Sequence, residues 1–167
     1  MTRLLRSSKF SLMNRALLLV LSFAVAGVAL AQTAQKRPAA VREEEPIFHD
    51  YRGVKLGWIA DDVRKKLGDP ANKADDQDYY IFNENERAQV FYDKDTRQVT
   101  AISVDFMTGA NGILTPQQVF GADIEAKSDG SKSRLVRYAK AGYWVSYSRT
   151  AGDNPIISVT MQKLPPQ

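Results

Sequence analysis

Cysteine is missing from all 167 residues, so no disulfide can staple the chain and no thiolate can bind metal or attack a substrate. Histidine is nearly missing as well. With His49 alone, neither a Ser-His-Asp set, nor a histidine metal cluster, nor a Cys-His pair can be assembled. The 10 glycines are scattered at helix stops and links and form no phosphate-cradling loop. Two acidic clusters, "DDQD" at 75–78 and "DKD" at 93–95, lack the glycine and the distal glutamate of a calcium-binding EF-hand loop and read as turn initiators. Asp61 and Asp62 are adjacent and point in different directions on a helix, which suits its dipole better than acid/base work. These shortages point away from an enzyme, and no cofactor or metal is expected.

Long hydrophobic runs are also scarce. The exception is Ala16 to Ala31, preceded by Arg3, Arg6, Lys9 and Arg15 and ending in Ala29-Leu30-Ala31. That is the layout of a secretory signal, and its 16 residues fall short of the roughly 18 expected of a spanning helix. Cleavage before Gln32 is expected, giving a periplasmic or secreted protein with no stable membrane anchor. An uncleaved anchor is the alternative, and Met13 would also start a compact signal. Gln32 stands where a lipoprotein would carry its acylated cysteine. Removing residues 1–31 takes away four basic residues and no acidic one, leaving 19 of each sign. The mature chain is formally neutral, so nucleic acid is not an expected partner. From Gln32 to Pro46 large apolar residues are almost absent, and the segment reads as a disordered tether ending in Glu43-Glu44-Glu45.

From Ile47 onward there is material for one folded domain. In "GWIADDVRKKLGDP", residues 57–70, Ile59, Val63 and Leu67 recur every fourth position. Asp61 and Asp62 precede Arg64, Lys65 and Lys66 as the helix dipole favours, and Gly68 and Pro70 stop the helix. Extended segments follow at 78–82, 88–93 and 99–106. A second helix start is marked by Thr115 as N-cap, Pro116 at the first helical position and Gly121 as stop, and three more extended segments lie at 134–139, 143–148 and 156–161. Val90, Tyr92, Ile102, Ser103 and Val104 each find the identical residue 55 positions later, at Val145, Tyr147, Ile157, Ser158 and Val159. The expectation is an α+β fold of two tandem helix plus three-strand antiparallel units, residues 47–110 and 111–164, forming one domain with the helices on one face of the sheet.

Gly57, Asp61-Asp62-Val63 and Leu67-Gly68-Asp69-Pro70, followed by a three-strand meander, resemble the SmpA/OmlA-type (BamE-like) envelope modules of the outer-membrane assembly machinery. In duplicated form the pattern is similar to the tandem-repeat β-lactamase inhibitor proteins. The likeness covers residues 52–106 well and 115–161 loosely; the absent lipoprotein cysteine and Ile59 in place of a helix-start Thr or Ser depart from it. The resemblance implies a non-enzymatic protein-binding module whose helix braces the back of a sheet.

Period-two alternation turns Val90, Tyr92, Ile102, Val104, Phe106, Val145 and Tyr147 inward, and Gln89, Phe91, Ala101, Ser103, Asp105, Trp144, Ser146, Ser158 and Thr160 outward. Placing Ile81 and Val136 in the core leaves Tyr80, Phe82, Leu135 and Arg137 outside. Tyr80, Phe82, Phe91, Arg137 and Trp144 are thus the candidate contacts for another envelope or secreted protein, in the composition of an interface hot spot. Burial of these aromatics by another part of the chain is the competing reading. A glycan or ligand binder, or a weak carboxylate-dependent hydrolase using the same aromatics, is the functional alternative.

Overall fold

The computed structural model describes residues 45–165. Helix α1 spans Ala60–Leu67. Four strands follow, β1 (Asn72–Lys73), β2 (Gln77–Asn83), β3 (Glu86–Tyr92) and β4 (Val99–Phe106). After α2 (Pro116–Phe120) come β5 (Lys132–Tyr138), β6 (Tyr143–Arg149) and β7 (Ile157–Lys163). All seven strands belong to one antiparallel sheet in the order β1-β2-β3-β4-β7-β6-β5.

This corrects the expected pair of helix plus three-strand units. β4 and β7 pair along an unbroken register from Ala101↔Gln162 to Phe106↔Ile157, so the main-chain ladder runs straight through the supposed boundary. One buried cluster likewise draws on both halves, from Val63 and Val90 to Val145 and Val159. The helices are minor elements of eight and five residues. β1 has no signal in the sequence, since its two exposed polar residues carry no hydrophobic alternation.

Local chemistry explains where the helices begin and end. Thr115 Oγ1 accepts from Gln118 N while Gln118 Oε1 accepts from Thr115 N, a reciprocal capping box, and Gly121 closes α2 with φ of 72°. A side chain at Gly121 would also collide with Ile47, 2.8 Å from where a Cβ would stand. In α1 the buried residues are Ala60 and Val63. Ile59 is not on that face: it precedes the helix, is half exposed and bridges to Gln98.

Inward positions of β3, β4, β6 and β7 fall as alternation requires, with Val90, Tyr92, Ile102, Val104, Phe106, Val145 and Tyr147 buried beside Val159 and Met161. β2 has the opposite phase to the one expected. Asp78 and Tyr80 are buried and Phe82 is packed against the core, whereas Ile81 is 53% exposed. The reason lies in a charge pair from a distant helix. Arg64 of α1 donates to Asp78 through Nε at 2.8 Å and Nη2 at 3.0 Å, and Tyr92 Oη donates at 2.8 Å, so a carboxylate can occupy an inward site. Glu86 is satisfied in the same manner by Arg52 Nη2 at 2.8 Å and by Tyr51 Oη.

Burial is the main cause raising the hydroxyls of Tyr51, Tyr80 and Tyr92, with Glu86 or Asp78 adding to it, and Tyr80 is pushed up to about 12. These groups bind their protons more tightly folded than unfolded. Their contribution is therefore fully present below about pH 10, the ordinary tyrosine value, and is lost as pH rises through the folded values. Thermal unfolding measured between about pH 8 and pH 12 should show stability falling from about pH 10, with a shallower fall in Tyr92→Phe. A flat profile in the parent, or identical slopes in both proteins, would contradict this account of the buried hydroxyls.

Candidate binding face

The sheet face opposite the helices is built from lateral rows of side chains fixed by register. One row runs Gln77, Phe91, Ala101, Gln162, Trp144, Arg137 across six strands. The next runs Tyr79, Gln89, Ser103, Thr160, Ser146, Leu135. A third carries Ile81, Arg87, Asp105, Ser158, Ser148 and Ser133. Its centre is polar and its flanks are apolar or aromatic. Ser103 Oγ and Thr160 Oγ1 lie 2.8 Å apart across β4 and β7, and Ser158 Oγ donates to Asp105 Oδ1.

Of the five residues singled out from the sequence, three share this face. Phe91 and Trp144 are half-buried and Arg137 is exposed, all in the first row. Three inter-strand steps separate the two rings, about 14 Å at about 4.8 Å per strand. Tyr80 and Phe82 belong to the other side. Tyr80 is 2% exposed, and its ring stacks on Phe82 with centroids 5.8 Å apart. Phe82 also meets Tyr51 edge-on and lies 4.1 Å under the Arg52 guanidinium. Both rings are therefore core and network residues, displaced from the expected face because Asp78 sets the phase of β2. The same shift brings out Tyr79 and Ile81, which sequence alternation missed; the one sequence signal for them was Asp78 itself, if read as an arginine-paired inward acid.

Over Phe91 the face is hollowed to about 540 Å³, with Gln89, Ser103, Thr160 and Gln162 among its walls. At its rim Asp76 pairs with Lys94 at 3.5 Å. Amide and hydroxyl groups there offer both donors and acceptors without a net charge. Among the described residues no group of three or more His, Cys, Asp or Glu could hold a metal ion. His49 lies away from this hollow, its Nδ1 2.8 Å from the Ile47 carbonyl and its Nε2 3.2 Å from Asp50. Among the described residues the two buried carboxylates, Asp78 and Glu86, point to the core side and are held by arginines.

What the geometry defines is a single antiparallel sheet braced by short helices on one side, with a mixed aromatic and polar face on the other. No family model, no curated protein and no solved structure matches the chain.

Proposed function

We propose that this chain is an exported, non-enzymatic module of the bacterial cell envelope that holds another protein against the open face of its sheet. The observation that carries the reading is the register row in which the half-buried Phe91 and Trp144, three strands apart, and the exposed Arg137 beside Trp144 share the open face. Aromatic side chains have few rotatable bonds and lose little entropy on contact, and together with arginine they are enriched among the residues that dominate interface energetics. Export rests on the signal-like residues 1–31, which lie outside the described residues, as does the tether up to Glu44. The likeness of residues 52–106 to SmpA/OmlA-type modules agrees with a binding role in the envelope and adds no partner.

The test is a pull-down with immobilised protein lacking residues 1–31, followed by titration of the purified captured partner. Phe91→Ala and Trp144→Ala should each weaken binding by about 2 kcal/mol or more while leaving a folded protein. Normal affinity in both folded variants would remove the open face from consideration. The hollow over Phe91, with its neutral amides and hydroxyls beside an aromatic ring, favours a glycan as the second reading. Retention on immobilised glycan, with no protein captured, would put that reading first.

A further inference from the structure

The two edges of the sheet are built differently. On one side β1 covers part of β2 by pairing with Asp78 and Tyr79, and a register irregularity between Ile81 and Asn83 breaks the remainder. Both features obstruct the addition of another strand. On the other side β5 is seven residues long and pairs with β6 without interruption from Lys132↔Arg149 to Tyr138↔Tyr143. Among the described residues no further strand pairs with β5, and no turn or loop group hydrogen-bonds the main chain from Ser133 to Arg137. The outward main-chain groups of this stretch are thus a straight template.

Side chains on the template state which strand would fit. β5 has three cations and no acid. Lys132 is already paired with Asp123 at 3.2 Å. Arg134 rests on the Phe120 ring at 5.0 Å, on the helix side, and Arg137 projects from the open face; among the described residues neither has an ion pair. Between them Leu135 is 56% exposed.

We propose that the β5 edge accepts an extended acidic segment of another protein as an eighth, antiparallel strand, a main-chain contact at the sheet edge that shares Arg137 with the open-face reading above but does not depend on it. Arg134 and Arg137 are three residues apart and so lie on opposite faces of the strand. An antiparallel partner therefore meets them with two acids three residues apart and sets an apolar residue beside Leu135, in the order acid, any residue, apolar, acid. Main-chain hydrogen bonds supply the affinity and these side chains the selection. A second copy of β5 does not fit, because it has no acid to offer either arginine in any register. The chain's own Glu43-Glu44-Glu45 does not fit either, since the tether from Gln32 to Pro46 holds no two acids three residues apart.

The experiment titrates the protein lacking residues 1–31 with the synthetic peptide Thr-Val-Glu-Thr-Val-Glu-Val-Thr, following backbone amide resonances. The expected result is saturable binding, with shifts and slowed hydrogen exchange centred on Ser133 to Arg137. The lysine-for-glutamate peptide and a version N-methylated on alternate amides should bind poorly. Arg137→Glu, at an exposed site, should weaken the acidic peptide about fivefold or more and strengthen the lysine peptide. Four outcomes would overturn the proposal: equal binding of the N-methylated peptide, shifts confined to β3, β4 and β7, equal binding of a peptide spanning residues 40–46, or self-association of the protein through β5 without any peptide.

Discussion

Asp78→Ala should lower the stability of the domain by about 3 to 5 kcal/mol, enough to bring the melting temperature down by about 10 °C or more. Asp78 is fully buried, and its two oxygens receive Arg64 Nε, Arg64 Nη2 and Tyr92 Oη within 3.0 Å. Truncation leaves the guanidinium of Arg64, whose side chain is 14% exposed, with the solvent-facing Asp61 at 3.4 Å as its remaining carboxylate, and leaves the Tyr92 hydroxyl without the acceptor it has in the folded protein. A buried charge that loses its partner pays most of its desolvation cost uncompensated. Asp62→Ala removes a surface pair with Lys65 on the same helix and should change stability by about 0.5 kcal/mol or less. Chemical denaturation of the two variants side by side gives the check. Coincident midpoints would mean that the Asp78 contacts contribute no more than a surface pair.

Ile102→Ala should cost about 2 to 5 kcal/mol. Ile102 is 1% exposed in the middle of the sheet, opposite Val90 on one side and Met161 on the other. Removing three carbons there opens a cavity that flanking strands, tied by ladders on both sides, can only partly close. Ile157, at 9% exposure and the end of its strand, should give a smaller loss when cut to alanine, toward the lower end of the same range. Because β4 and β7 form one ladder, both variants should unfold in a single transition. Two separated transitions, or no change in either midpoint, would contradict a shared core across that seam.

How the sheet was legible follows from particular residues. Val90, Tyr92, Ile102, Val104, Phe106, Val145 and Tyr147 alternate with polar neighbours, and their inward orientation could be read directly because period two admits only two choices and burial of valine and isoleucine selects one. The α2 cap was equally readable, since Thr115, Pro116 and Gln118 encode their contacts within one turn. β2 was not readable in the same way. "DYYIF" has aromatics in both phases, and the inward one was chosen by Arg64, 14 residues earlier, whose pairing with Asp78 exists only once α1 lies over the sheet. That one long-range pair moved Tyr80 and Phe82 out of the candidate site and put Tyr79 and Ile81 onto the open face.

By itself, then, the sequence determined the elements whose signals are local: where α1 and α2 stop, which residues of four strands face inward, and which chemistries are unavailable for want of cysteine and histidine. Tertiary structure alone decided that the strands make one seven-stranded sheet and not two units, because β4 meets β7 through main-chain hydrogen bonds that any sequence of the right length and pleat can make. It also decided which flank residues join Phe91, Trp144 and Arg137, because an inward carboxylate is tolerated only where a distant arginine arrives to neutralise it.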